Sequence, residues 1–269
     1  MSALQGYLNQ HFFGVLSVMR FLPRRIDYYR RLTTAPVRSE LEPHLRTLRR
    51  DGIVIIPDLL PEKTVKEMRD AVPELNRFEE SPEGDRAYFL PEAHRIADFS
   101  PFFEHPDVRD LVRGYISVEA VPHRRTIGLK VVYGDFPSFE RNYHMDTWRQ
   151  RVKAFLYLDE VGPEQAPMTY LRGSHRGLWR LWTEARIARD YVVDERGFGT
   201  DQDRWFLGSF WPHEVAQLKQ DRGYEEVVCT GGAGTLVLFD GRGLHRATPL
   251  ISGSRLLLNS YWIHAREHT

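Results

Sequence analysis

One cysteine, Cys229, stands among 269 residues. A lone thiol excludes an intrachain disulfide framework and a cysteine-built zinc site, and it fits a reducing compartment. Neither sign of charge is in excess, with 37 Lys and Arg against 37 Asp and Glu. The chain therefore has no bulk attraction for nucleic acid. It contains no apolar run of about 18 residues, the length that a membrane-crossing helix needs. The first residues lack the basic start and small-residue cleavage site of a secretion signal. No repeat or low-complexity tract is present. The expectation from these absences is a cytoplasmic protein with neither a nucleic acid nor a transmembrane segment in its function.

Apolar residues make up 42% of the chain and aromatics 12%, enough for the core of one large domain. Residues 1–36 read as a separate helical extension. Leu4, Leu8, His11, Val15, Met19 and Leu22 share one helical face before Pro23, which is expected to stop the helix. The stretch that follows, Arg24 to Arg31, is rich in arginine and tyrosine. Two readings apply to it: packing on the chain's own domain, or peripheral contact of residues 1–31 with a membrane surface. Ser39 and Glu42 have the spacing of a capping box for a helix carrying Leu41, Leu45 and Leu48 and ending near Gly52. Gly52 to Pro57 reads as a short buried strand. Pro61 opens a helix expected to reach about Leu75, with Val65, Met68 and Val72 inward, and a short helix is expected at Pro106 to Tyr115.

From Thr126 onward the pattern changes to β-branched and aromatic runs between turn residues: Thr126–Tyr133, Val152–Leu158, Met168–Leu171, Glu226–Cys229, Thr235–Asp240 and Arg255–Trp262. A helical, aromatic insertion is expected at about 177–221. Helices first, then many short strands, predicts a mainly β jelly roll or barrel with flanking helices over residues 37–269.

His144 and Asp146 lie two positions apart in a stretch between predicted strands. On an extended chain such residues point the same way, so an imidazole and a carboxylate reach one ion together. Far along the chain, the glycine-rich turn Gly241-Arg242-Gly243-Leu244-His245 delivers a second imidazole just past a strand. Two histidines and one carboxylate make the facial triad of oxygen-activating ferrous enzymes, which leaves coordination positions open for a cosubstrate and O₂. A His-x-Asp pair by itself is a common accident among eleven histidines. Arg255, ten positions after His245 at a strand start, adds weight, because a buried guanidinium calls for an anion and suits a dicarboxylic keto acid. The strand and turn from Ala166 to Arg176 lie between the two ligand segments.

These residues resemble the phytanoyl-CoA dioxygenase family, within the iron and 2-oxoglutarate dioxygenases, over roughly residues 37–265. The resemblance runs through Asp51 to Pro57, Leu59 to Glu62, His144 to Trp148, Gly173 to Arg176, His245-Arg246 and Arg255. It implies a double-stranded β-helix. It also implies Fe(II) held by His144, Asp146 and His245, and 2-oxoglutarate gripped through its far carboxylate by Arg255. Where the family often has a Ser two positions after the distal His, this chain has Ala247. That leaves a second cosubstrate contact to Thr248 or Lys130. The expected activity is hydroxylation of an unactivated carbon of a small organic substrate in specialised metabolism. Desaturation, cyclisation and epoxidation are alternatives with the same cofactors, and a jelly-roll metal-binding module is the non-enzymatic alternative. Trp148 is a candidate substrate contact. His175 reads as a turn residue rather than a third metal-binding imidazole, and His264 and His268 are expected at the surface.

Overall fold

The computed structural model describes residues 15–80, 87–131, 142–177, 179–181 and 210–268. Most of the proposed insertion, including Trp182, Trp205 and Phe206, lies outside the described residues, as do residues 1–14. The strands are β1 (Ile53–Ile56), β2 (Glu79–Glu80), β3 (Ala87–Leu90), β4 (Ala120–Val131), β5 (Val152–Tyr157), β6 (Met168–Leu171), β7 (Glu226–Val228), β8 (Leu236–Asp240), β9 (His245–Ala247) and β10 (Ser254–His264). They form a seven-stranded antiparallel sheet in the order β1-β8-β5-β10-β4-β3-β2, and a three-stranded antiparallel sheet in the order β7-β6-β9.

Alternation along the strands separates two cores. Side chains two positions apart share a sheet face, and in β8 Leu236 and Leu238 turn to one side while Val237 and Phe239 turn to the other. The same split places Val152, Ala154 and Leu156 of β5 opposite Phe155 and Tyr157, and Leu256 and Leu258 of β10 opposite Leu257. The first set packs beneath a helical layer of α2 (Glu42–Asp51), α3 (Glu62–Asp70), α4 (Ser100–Phe103) and α5 (Pro106–Tyr115), through Leu45, Leu48, Val65, Met68, Phe102 and Leu111. The second set meets Met168, Tyr170 and Cys229 of the small sheet. Helices outside and two facing sheets inside are the expected jelly roll.

Local details differ from the expectation. Pro23 does not end the first helix; α1 spans Val15–Arg30 with the proline inside it. Pro23 and Met19, four residues before it, are both exposed, so water can take up the carbonyl that the proline leaves without an amide. No capping box forms at Ser39. The N-cap is Leu41, without a side-chain cap, and Ser39 Oγ bonds Glu40 instead. Helix α3 stops at Asp70, and Leu75 sits in a separate 3₁₀ turn. His264 is buried, not superficial, because it is the last residue of β10 and its Nε2 lies 3.3 Å from Glu119. Among the described residues no helix is long and apolar enough to cross a membrane.

The described part of α1 rests on the body of the protein. Tyr28 meets Trp148 edge to face at 5.5 Å, and its hydroxyl donates to the Gln150 carbonyl at 3.1 Å. Tyr29 donates to the Trp148 carbonyl at 2.6 Å.

Candidate metal centre

Backbone pairing brings the two candidate histidines together before any side chain acts. His144 and His245 form an antiparallel bridge, each amide donating to the other's carbonyl at 3.0 and 3.1 Å. On the extended stretch around His144, Tyr143 and Met145 turn into an apolar cluster with Trp148, Leu171 and Leu244. His144 and Asp146 turn the opposite way. The imidazole Nε2 atoms of His144 and His245 then lie 3.8 and 3.6 Å from Asp146 Oδ1. Ligand atoms from all three residues fall within 4.8 Å of one another. Among the described residues this is the one such group, and His175 is not part of it. His175 Nε2 instead lies 3.2 Å from the Arg49 carbonyl.

The rings are aimed as ligands. His144 Nδ1 is 2.9 Å from the Asn142 carbonyl, and His245 Nδ1 is 2.9 Å from the Gly243 carbonyl. A carbonyl only accepts, so each Nδ1 carries the proton and each Nε2 presents a lone pair. His245 Nε2 is buried without a hydrogen bond, which is costly unless a metal or donor meets it. Two neutral nitrogens and one carboxylate oxygen suit ferrous iron, and a set of three leaves other coordination positions open. The residues fit the ion.

Glycines set the approach. A Cβ on Gly241 would stand 2.6 Å from Asp146 Oδ2, and one on Gly243 would overlap the Tyr170 hydroxyl at 1.8 Å. Tyr170 uses that space to donate to the Asp240 carbonyl at 3.0 Å, and its ring stacks on His245 with centroids 6.3 Å apart. Gly52, at φ +79°, closes α2 in the left-handed region and also leaves room for Tyr170 and His175. Beneath the turn, buried Asp240 takes Arg242 at 2.6 Å and the Tyr115 hydroxyl at 2.5 Å.

Charge at the centre is balanced by a residue that sequence reasoning missed. Lys153 of β5 places Nζ 2.8 Å from Asp146 Oδ2. Burial pushes the Asp146 carboxyl up, but Lys153 and then His245 outweigh it, and the group is held well below the usual carboxylate range. His144 is pushed down to about 4 by burial and then by His245. A lysine at an inward position of a predicted strand was the available signal, since Phe155 and Tyr157 follow at the same parity.

Arg255 is buried at the start of β10, on the face of Leu257, and its Nη1 donates across to the Ala166 carbonyl that precedes β6. Lys130 pairs with Arg255 in the β4–β10 register; its side chain lies outside the described residues. The Thr248 hydroxyl donates to the Pro167 carbonyl at 2.7 Å, so its proton is already used. Trp148 is buried two residues beyond Asp146, beneath Tyr28, with the Arg25 and Arg149 guanidinium groups 5.2 and 4.6 Å from its ring.

The model of the phytanoyl-CoA dioxygenase (PhyH) family matches residues 48–256. No curated protein matches the chain by sequence. Among solved structures, the epimerase SnoN in complex with Fe³⁺, alpha-ketoglutarate and nogalamycin RO superposes with a TM-score of 0.58, at 19% identity, over 84% of each chain. EctD from S. alaskensis with bound Fe gives 0.55 at 17% identity, over 85% of this chain and 77% of that one. HygX from Streptomyces hygroscopicus with nickel and 2-oxoglutarate gives 0.55 at 17%, over 85% and 87%. At such identities these structures share the fold, whereas the family match spans most of the chain: it belongs to the phytanoyl-CoA dioxygenase family of non-haem iron and 2-oxoglutarate-dependent enzymes.

Proposed function

We propose that the chain hydroxylates an unactivated carbon of a small organic substrate, with His144, Asp146 and His245 as the iron ligands. The observation that carries this reading is a convergent set of three donors, two neutral imidazole nitrogens and one carboxylate, gathered within 4.8 Å of one another. A structural zinc site would draw on four ligands and leave no position for a reactant. Bound iron and 2-oxoglutarate supply the oxidising power, through O₂ reduction coupled to decarboxylation of the keto acid.

The chain's own residues do the positioning. Asn142 and Gly243 carbonyls fix the ring orientations. Lys153 keeps Asp146 ionised and steers Oδ2, so that Oδ1 is the oxygen facing the two imidazoles. Arg255, buried between the sheets, offers a guanidinium fork to the far carboxylate of the cosubstrate. Thr248 is a weaker candidate for the second contact, because its hydroxyl already serves Pro167, and Lys130 is preferred by its register with Arg255. Trp148 forms part of the substrate wall. Solved relatives in fold hold nogalamycin RO and 5-hydroxyectoine, and a small organic molecule is the substrate class proposed here.

Anaerobic addition of Fe(II) and 2-oxoglutarate tests the reading. A weak visible charge-transfer band is expected with the wild type and none with His144→Ala. Succinate release in air should depend on both additions. A wild type that binds iron without the band would return the chain to the metal-binding module.

A further inference from the structure

Beside the segments that carry the candidate ligands lies a cavity of about 610 Å³ whose walls come from α1, from Trp148 and Arg242, and from residues 175–177, 180 and 181. Its charge is one-sided. Arg25, Arg30, Arg176, Arg180 and Arg242 line it, and no Asp or Glu does among the described residues. Arg242 is spent on Asp240. Arg180 is turned inward, donating to the His175 carbonyl at 2.5 Å. Arg30 and Arg176 are exposed and have no carboxylate partner among the described residues. His175 in the same wall adds no cation, because it is held neutral by burial. Like charges gathered on the walls of a concave site raise the local potential and favour an anion there.

The rest of the wall is apolar. Leu22 and Ile26 of α1 face the cavity together with Leu181 and the Trp148 indole. The Trp148 Nε1–H is buried without an acceptor, an orphaned donor that a ligand oxygen would satisfy. Guanidinium forks match carboxylate and phosphate oxygens, and an apolar floor beside them suits an alkyl or ring body.

We propose that this cavity binds an organic anion, a carboxylate or phosphate ester with an apolar body, and that this anion is the substrate. The second half of the statement rests on the oxygenase reading; the first does not. Arg30 and Arg176 grip the acidic group, and the apolar body lies along Ile26 and Trp148; Trp148 and Arg242 in the wall belong to the two segments that carry Asp146 and His245.

Calorimetric titration of the full chain with octyl phosphate, octanoate and 1-octanol, without iron or 2-oxoglutarate, tests it. At least one anion should bind saturably and about tenfold or more tighter than octanol. Octyl phosphate outbinding octanoate assigns a phosphate ester, and the reverse a carboxylic acid. The Arg30→Gln/Arg176→Gln double variant should lose about tenfold in anion affinity, and the corresponding Lys double variant should recover most of it. Octanol binding as tightly as both anions, or a Gln variant indistinguishable from wild type, overturns the proposal even if the charge-transfer band forms. A missing band with anion selectivity intact overturns the oxygenase reading and, with it, the substrate role alone.

Discussion

Gly241→Ala isolates the geometry of the metal centre from the stability of the fold. Gly241 is not in the left-handed region, so an alanine meets no backbone penalty there. Its Cβ would stand 2.6 Å from Asp146 Oδ2 and 3.4 Å from the Asp146 Cβ and Cγ. Only the carboxylate oxygen is too close, and it must retreat by about 0.8 Å to reach the edge of ordinary contact. Swinging it away alone would strain the ion pair with Lys153, which holds the same oxygen at 2.8 Å. The carboxylate therefore rotates or shifts as a unit and carries Oδ1 with it. Metal–ligand distances tolerate about 0.2 Å, so a displacement of this size should cost about 10–100-fold in Fe(II) affinity, the range seen when a ligand's support is lost. Stability should fall by less than about 1 kcal/mol, since no buried group is left unpaired. The assay is anaerobic Fe(II) titration in the presence of 2-oxoglutarate, read by the visible band, alongside a urea melt. Wild-type iron affinity in Gly241→Ala would refute the claim that this glycine makes room for the ligand. Lost affinity accompanied by several kcal/mol of destabilisation would refute the steric account in favour of misfolding.

The ion pair beneath the turn should behave as a buried pair does. Asp240→Asn leaves the Arg242 guanidinium without its counter-charge in a site where Asp240 is fully buried, and should cost about 3–5 kcal/mol by urea unfolding. The Asp240→Leu/Arg242→Met pair should recover much of that loss, and a double variant as unstable as Asp240→Asn would count against this account. His175 is pushed down to about 4 by burial from an ordinary value near 6.5. The unfolded chain therefore takes up its proton first as pH falls, and the stability that the neutral ring provides above about pH 6.5 is lost between there and about pH 4, by up to roughly 3 kcal/mol. The stability difference between wild type and His175→Gln should shrink across that window, and a pH-independent difference would sink the assignment.

How much of the centre could be read from the chain depends on how local each signal is. His144 and Asp146 were legible because two-residue spacing on extended backbone has one geometric meaning. His245 was legible because glycines on either side of Arg242 mark a turn at a strand end. The two-layer split of β5 and β8 follows from the same alternation. Lys153 was missed because its role depends on which loop lies over β5, and that is decided by the β5–β8 register and not by nearby residues. Pro23 does not stop α1, since a proline breaks a helix only where the lost hydrogen bond cannot be replaced, and exposure there lets water replace it. Proximity to the end of the sequence suggests exposure for His264, but the register of β10 against β4 carries the strand through to that residue and buries it. Sequence position alone favours Thr248, whereas its hydroxyl proton goes to the Pro167 carbonyl across the fold.

Helix α1 ends before residue 48, where the family match begins, yet it touches the segment next to a candidate ligand. Tyr29 joins the Trp148 carbonyl to the Arg242 guanidinium, with bonds of 2.6 and 3.0 Å. Arg242 in turn belongs to the turn that carries His245. One hydroxyl outside the matched span is thus tied to both metal-bearing segments, and the cavity wall runs along the same helix. A division of labour follows on physical grounds. The matched span supplies the three candidate ligands, whose mutual geometry one ion would dictate, and that leaves little freedom. The helix contributes Leu22, Arg25, Ile26 and Arg30, which line a cavity that none of the three candidate ligands lines, so their size and charge can change without moving a ligand. Selectivity would therefore be set in part by Ile26 and Arg30, which precede the matched span, acting with Trp148 and Arg176 inside it.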